Sequence, residues 1–168
     1  MYISTTNKIF IVVFFFLLLE TFLFSKISHS ATILGTGTGA LLGGDLTDPE
    51  DDGNDGTASG SNFNWVSINA SSKNTFNGEG AYNVFDNKVG PGAMKWCCDA
   101  PTRWIYVQLS KSYQLTHFTI ASGNDSPDRD PDKWKIQGSN DGSNWTDIYE
   151  YDNDGTSPFS ARNQVIRY

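Results

Sequence analysis

Short runs of alternating apolar and polar residues fill the chain from residue 64 to its last residue, 168. These runs are rich in β-branched and aromatic side chains, and they are bounded by Gly, Asn, Asp and Pro, a pattern typical of strands separated by turns. The region sustains no apolar period of 3.6 residues, so it predicts no helix. The predicted strands cover residues 65–69, 104–109, 115–121, 133–138, 145–149 and 164–168. Several short strands at regular spacing indicate an all-β sandwich or barrel.

Two short connections predict hairpins. Few residues separate Leu109 from Leu115, so the strands on either side are expected to pair. Residues 140–143 read Asn-Asp-Gly-Ser between Ile136 and Trp145, and Gly142 can adopt positive φ in such a turn.

The tryptophans carry the expected core. Four of them lie in or beside predicted strands and are interpreted as mainly buried, namely Trp65, Trp104, Trp134 and Trp145. Truncating such a side chain to Ala costs about 3–5 kcal/mol. Trp96 differs, because it follows a Gly-Pro-Gly loop. Packing beneath one end of the sandwich and facing a ligand both fit its position.

The N-terminal segment does not share the strand pattern. Lys8 is the only charged residue before an apolar run over residues 9–19, and Ser28 and Ser30 place small side chains before a cleavage point. The uninterrupted run is shorter than the about 20 residues of a membrane-spanning helix. Residues 1–30 are therefore predicted to be a secretory signal peptide, with an uncleaved anchor as the alternative, and the mature chain is expected to be extracellular.

Residues 31–60 are predicted to be an acidic, Gly- and Asp-rich lead-in to the domain at 61–168. All the acidic side chains of this segment lie within residues 45–56, and the segment has too little apolar content to bury a core of its own. A flexible lead and a loop folded around a cation both fit this composition. The spacing does not match the twelve-residue loop of an EF-hand.

The charge of the chain limits its partners. The net charge is −7, and without residues 1–30 the chain carries 10 basic and 18 acidic residues, a net charge of −8. Nucleic acid and anionic membranes require clustered Lys and Arg, so the composition argues against both as partners. The Asp residues lie in Gly- and Asn-rich turns, which suits calcium, although a solubilising role is the simpler interpretation for any single one.

The two cysteines, Cys97 and Cys98, are adjacent. Secreted chains usually oxidise their thiols, so a strained eight-membered ring, a reduced pair and bonds to a partner all stay open. A zinc site is not indicated, because no His or second Cys pair lies nearby. His117, the only His after residue 30, is interpreted as a surface strand residue.

The polar loop at residues 122–132 is the candidate binding site. Sugars are recognised by planar hydrogen-bonding groups and by an aromatic face. Asn124, Asp125 and Arg129 supply the polar groups, and Trp96 or Tyr82 could supply the aromatic one. The structural alternative is that Arg129 only fixes the loop by pairing with a neighbouring acid, Asp128, Asp130 or Asp132.

Several motifs, taken in order, resemble the coagulation-factor type C (discoidin) domains and the related galactose-binding-like carbohydrate modules. They occupy residues 70–72, 78–87, 95–96, 104–109, 130–134 and 138–145. The resemblance implies a discoidin-type jelly-roll β-sandwich that binds a ligand and does not catalyse. It also implies two further strands after residue 168, so we expect a sandwich that is incomplete at its C-terminus, with an open edge that can pair with another copy.

A calcium site follows from the same resemblance. Residues 85–87, Phe-Asp-Asn, match the family's Phe-Asp-Gly turn, which implies a structural calcium ligand at Asp86. Asn87 tolerates left-handed backbone geometry better than most residues other than Gly. The Glu that often completes such a site would lie in the missing C-terminal part.

The function expected from these features is carbohydrate binding, with a glycan or glycoprotein as partner. An adhesion module for protein or phospholipid is the alternative, with Val89, Met94 and Phe76 as candidate apolar spikes, and a targeting appendage of a larger enzyme is another. The chain carries no enzyme motif. Asn69, Asn124 and Asn144 begin glycosylation sequons, and a glycan on Asn124 would block the candidate loop.

Overall fold

The computed structural model describes residues 2–4, 30–43, 46–47, 65–71, 78–97 and 103–168. Over these ranges the regular elements are strands and short 3-10 turns. The strands are β1 (Tyr2–Ser4), β2 (Thr32–Thr36), β3 (Trp65–Ala70), β4 (Ile105–Leu109), β5 (Thr119–Ala121), β6 (Lys133–Gly138), β7 (Thr146–Asp152) and β8 (Gln164–Arg167).

All strand pairings in the described ranges are antiparallel. One sheet has the order β1-β5-β8-β2, and two further ladders join β3 to β4 and β6 to β7. Phe118 and Tyr168 exchange backbone hydrogen bonds of 3.1 and 2.9 Å, which extend the β5–β8 pairing by one residue pair. The protein is an all-β sandwich.

The hairpin around residues 140–143 is confirmed. β6 pairs with β7 from Lys133 opposite Asp152 to Gly138 opposite Thr146, with a register shift between Ile136 and Gln137, and Gly142 has a φ of 72°. This turn is specified locally, because Gly adopts positive φ without a steric penalty.

The predicted hairpin around residues 110–114 is wrong. β4 pairs with β3, whereas β5 pairs with β1 and β8. The reason lies in the core. Val107 and Leu109 of β4 pack in one buried cluster, and Ile120 of β5 packs in another. The connection therefore passes between sheets and does not reverse the chain within one sheet.

Part of the predicted lead-in at 31–60 belongs to the sandwich. β2 pairs with β8, with a bulge between Ile33 and Gly35. The Thr38 hydroxyl donates to the Val89 carbonyl and accepts from the Val89 amide, both at 3.0 Å. Thr47 is fully buried. Residues 48–60, which include much of the acidic stretch, lie outside the described residues.

Within the predicted signal peptide, the structure describes β1 and Ser30. Tyr2 lies opposite Ala121 and Ser4 opposite Thr119, so β1 covers the outer edge of β5. No helix in the described ranges is long and apolar enough to cross a bilayer. Cleavage after Ser30 stays a prediction.

The core is divided between the ladders. One cluster contains Val84, Phe85 and Trp96 together with the inward side chains of β4. A second is largely aromatic: Phe118 stacks on Tyr168 at 5.2 Å, and Trp134 stacks on Tyr151 at 4.0 Å. A third, smaller cluster joins Val89, Ala121 and Val165, one residue from each of three segments.

The predicted burial of the strand tryptophans is only partly correct. Trp134 packs against the aromatic cluster. Trp104 and Trp145 are 47% and 39% exposed, so their assignment to the core is wrong. The side chain of Trp65 lies outside the described part of the structure.

Candidate functional site

The loop at residues 122–132 leaves β5 and returns the chain to β6. Ser126 adopts a left-handed conformation with a φ of 46°, and the 3-10 turn Pro127–Arg129 follows it. Ser122 anchors the start of the loop, because its hydroxyl donates to the Ala161 carbonyl at 2.9 Å and accepts from the Gln164 amide at 3.0 Å. The loop is thus attached to the segment before β8.

Lys95 holds the centre of the loop. Its side chain is 8% exposed, and its ammonium group donates to the Asn124 side-chain oxygen at 2.9 Å and to the Asp125 carboxylate at 2.6 Å. Glu79 lies 3.3 Å from the same ammonium group. A buried ammonium requires such partners, because an unpaired charge in a low-dielectric environment is very costly. Two predicted binding residues, Asn124 and Asp125, therefore also have a structural role.

A second cation fixes the far side of the loop. The Arg162 guanidinium donates through both terminal nitrogens to the Asp130 carboxylate, and Nη1 also donates to the Asp125 carbonyl at 3.2 Å. The hydrogen bond to Asp130 is the main cause of the raised pKa of Arg162. The structural alternative paired Arg129 with Asp128, Asp130 or Asp132. Of these three acids, Asp130 is paired with Arg162.

Arg129 is exposed on the 3-10 turn. Its Nη1 lies 3.5 Å from Cys97 Sγ, and Cys97 is disulfide-bonded. The exposed guanidinium therefore lies beside Cys97.

Asp125 is the exposed acid of the group. Its side chain is 54% exposed although Lys95 binds one of its oxygens. The hydrogen bond from Lys95 lowers the pKa of Asp125, and the positive charges of Lys95 and Arg129 contribute in the same direction. At neutral pH this carboxylate is ionised, so it accepts hydrogen bonds and has no proton to give.

The two aromatic candidates lie at different depths. Trp96 is 8% exposed and packs in the core cluster beneath this end of the sandwich. Tyr82 is half-buried, and its hydroxyl donates to the Gly78 carbonyl at 3.2 Å. The structure thus brings Asn124, Asp125 and Arg129 to one loop and places Trp96 below the surface. Ligand binding by these residues stays a prediction.

Asn83 organises the segment that carries Lys95. Its buried side-chain nitrogen lies 2.8 Å from the Gly78 carbonyl, 2.6 Å from the Ala93 carbonyl and 2.8 Å from the Lys95 carbonyl. An amide nitrogen has two hydrogens, so the three acceptors share them. This contact ties residues 78, 93 and 95 together, and sequence reasoning did not single it out.

The turn at the predicted calcium ligand forms as expected. Asn87 has a φ of 50°, and the Lys88 amide donates to the Asp86 carboxylate at 3.0 Å. The described residues contain no group of three or more His, Cys, Asp and Glu that could hold a metal ion. Calcium also takes carbonyl oxygens as ligands, and calcium binding at Asp86 stays a prediction.

The candidate apolar spikes are not alike. Val89 is 4% exposed and belongs to a core cluster, so its assignment as a spike is wrong. Met94 is exposed. Phe76 lies outside the described residues.

Comparison with known proteins identifies the family. The family model described as the F5/8 type C domain matches residues 67–167, more than half of the chain. Domains of this family are generally non-catalytic modules that bind carbohydrate, phospholipid or protein, and they occur in extracellular proteins. No curated protein and no solved structure gave a match. The matched range covers β4 to β8 and most of β3, and the chain belongs to the F5/8 type C, or discoidin, domain family.

Proposed function

We propose that the chain is a secreted, non-catalytic module that binds a neutral carbohydrate through the loop at residues 122–132. The observation that carries this proposal is that an exposed acceptor, Asp125, and an exposed donor, Arg129, lie on one loop, which is anchored to the buried Lys95. Sugar hydroxyls both donate and accept, so they require donors and acceptors side by side. Groups that are already held in place lose little freedom on binding.

The charge of the loop favours a neutral ligand. The cations Lys95 and Arg162 are each paired with acids of the same group, Asp125 and Asp130. Arg129 is accompanied by the exposed Asp128 on the same 3-10 turn. An anionic headgroup would meet a surface without excess positive charge on a chain of net charge −7. The burial of Val89 further weakens the phospholipid alternative.

The same contacts support a role without catalysis. A general acid must hold its proton near the working pH, but Lys95 lowers the pKa of Asp125. Asp130 is bound by both terminal nitrogens of Arg162. Two acids engaged in this way have a binding and positioning role in the loop.

Calorimetric titration with galactose, glucose, mannose and N-acetylglucosamine tests the proposal. Arg129→Ala should lower the affinity for the sugar at least about tenfold, which corresponds to the ~1.4 kcal/mol of a lost charge-assisted hydrogen bond. Arg129→Lys should retain part of the affinity. Arg167→Ala removes an equally exposed arginine from β8 and should change nothing. Equal affinities for the wild type and Arg129→Ala would contradict the assignment of the site. Binding to phosphatidylserine vesicles without any sugar binding would show that the ligand is a phospholipid and not a sugar.

A further inference from the structure

The outward face of the β3–β4 ladder is aromatic, and the two strands contribute no charged side chain to it. Ile105, Val107 and Leu109 point towards the core, so the alternate residues of β4 point outwards. These are Tyr106 and Gln108, and Trp104 directly precedes the strand. Asn69 lies opposite Tyr106, and Ser67 lies opposite Gln108. Neither β3 nor β4 contains a charged residue.

Three rings lie in contact on this face. Trp104 and Tyr106 stack with centroids 5.8 Å apart and planes 13° apart, and Trp145 lies 5.5 Å from Tyr106. Trp104 and Trp145 stay largely exposed, at 47% and 39%. We call Trp104, Tyr106 and Trp145, with Asn69 and Gln108, the aromatic face.

The β6–β7 ladder provides an internal comparison. It is also two-stranded and antiparallel, but its exposed surface carries the ion pairs Lys133–Asp152, Lys135–Asp147 and Lys135–Glu150, at 2.9, 2.8 and 3.5 Å. Such ion pairs are the ordinary way in which a solvated strand surface is covered. The aromatic face departs from this pattern, because it exposes two indole rings where charged side chains would be expected.

The rings are held in place by polar contacts. The Asn69 amide donates to the Tyr106 hydroxyl at 3.2 Å, which leaves the hydroxyl proton of Tyr106 to be donated elsewhere. Trp104 and Ser71 are joined by two hydrogen bonds, one from the Trp104 amide to the Ser71 hydroxyl at 3.1 Å and one from the Ser71 amide to the Trp104 carbonyl at 2.9 Å.

The turn before Trp145 is equally constrained. The Asp141 carboxylate accepts from the backbone amides of Ser143 and Asn144 at 2.8 and 2.7 Å and from the Asn144 side chain at 2.7 Å. The backbone hydrogen bond from Asn144 is the main cause of the lowered pKa of Asp141. The turn therefore presents Trp145 from a fixed position next to the β3–β4 ladder.

We propose that the aromatic face is a second carbohydrate-binding surface and that it binds a chain of neutral sugars. Pyranose rings present C–H groups to aromatic faces, and amide side chains bind their hydroxyls. The absence of charge in β3 and β4 selects a neutral polymer over an anionic one. Since the three rings form one contiguous cluster, several linked sugars can contact it together, so affinity should rise with oligosaccharide length.

This surface is independent of the loop at residues 122–132, because the two share no residue. Sugar binding at one could fail while the other binds. A monosaccharide reports on the loop, and a long oligosaccharide reports on the aromatic face.

The first experiment uses the wild-type chain and oxidation of tryptophan by N-bromosuccinimide, located by peptide mass spectrometry. Cellohexaose, xylohexaose and mannohexaose are the probes, and hexagalacturonic acid is the anionic control. At least one neutral hexasaccharide should protect Trp104 and Trp145, and its monosaccharide should protect neither. Trp134, which lies in the aromatic core cluster, provides the internal reference. No protection by any neutral probe, or equal protection by hexagalacturonic acid, would overturn the proposal.

The second experiment measures hexasaccharide affinity by titration of variants. Trp104→Ala should weaken binding about tenfold, which corresponds to ~1.4 kcal/mol of lost stacking, and Trp104→Phe should recover part of it. Leu42→Ala removes another exposed apolar side chain and should have no effect. Arg129→Ala should weaken monosaccharide binding alone. An unchanged affinity in Trp104→Ala would contradict the assignment.

Discussion

The ammonium group of Lys95 lies 2.6 Å from the carboxylate of Asp125, although the lysine is buried and the aspartate is more than half exposed. This ion pair joins the core segment beside Trp96 to the loop that carries the proposed binding groups. The buried Lys95 contacts the loop from the core side, and its ion pair with the accessible Asp125 fixes the shape of the loop. The loop therefore depends for its geometry on a residue that a ligand would not need to touch.

Removing Lys95 should destabilise the protein. Lys95→Met leaves Asp125, Asn124 and the largely buried Glu79 without their shared partner, so we expect a loss of about 2 kcal/mol in the free energy of unfolding. Urea unfolding should show a lower midpoint. Lys135→Met is the matched control: its ion pairs are exposed to solvent, so the loss should be much smaller than in Lys95→Met. Equal losses in the two variants would show that Lys95 does not organise the loop.

The Lys95–Asp125 pair should also make stability depend on pH. The pKa of Asp125 is below its ordinary value of 3.8 in the folded chain. A lowered carboxyl pKa contributes stability above the unfolded pKa, and the contribution is lost as the pH falls through the folded pKa. The difference in free energy of unfolding between the wild type and Asp125→Asn should therefore be constant near neutral pH and change in the variant's favour below about pH 4. A difference that is independent of pH down to acid unfolding would contradict this.

Replacing Asn83 with an acid should destabilise the fold more than removing its side chain. Asn83→Ala leaves three carbonyls, one of them in a buried hydrogen bond and two in part-buried ones, without their shared donor, a loss of about 2 kcal/mol in the free energy of unfolding. Asn83→Asp keeps the shape but places a carboxylate against carbonyl oxygens, so the loss should be larger. Thermal melts of both variants test this order. Asn140→Ala, at an exposed turn position, should stay within about 0.5 kcal/mol of the wild type. A milder effect for Asn83→Asp than for Asn83→Ala would count against the contact.

The outer edge of β5 should mediate self-association once residues 1–30 are removed. β1 covers this edge in the structure, and β1 lies within the segment predicted to be removed. An uncovered strand edge presents backbone groups that can pair with a second chain. Sedimentation velocity of the secreted protein should show an average mass that rises with concentration. A single monomeric species at every concentration would contradict the prediction.

The elements that could be predicted from the sequence are those that local chemistry determines. The bounds of β6 and its hairpin with β7 follow from alternating side chains and from a turn in which Gly142 supplies positive φ. The left-handed conformation of Asn87 follows in the same way from the Phe-Asp-Asn turn.

Strand partners could not be predicted, because pairing depends on distant residues. The short connection after Leu109 suggested a hairpin, yet β4 pairs with β3, far earlier in the chain. β2 was missed because a bulge at Gly35 interrupts a short, weakly patterned strand whose partner is β8, at the other end of the domain. Only the tertiary contacts decide these pairings.

The candidate loop could be located from its polar composition, but the contacts within it could not. Lys95 appeared in the sequence only as part of the Lys95-Trp96 motif, and nothing local indicates that it reaches Asn124 and Asp125. Trp104 is different. Side chains alternate between the two faces of a strand, so Trp104 lies on the same face as the polar Gln108. That polar residue indicates that the face points outwards.

A glycan array probed with the secreted wild-type protein tests the central claim most directly. Binding to neutral glycans, with weaker signals for their sulfated or uronic-acid counterparts, is the predicted result. It follows from the balanced charges around Lys95 and Arg162 and from the uncharged aromatic face. An array on which the folded protein binds no glycan, or binds only anionic ones, would contradict the account.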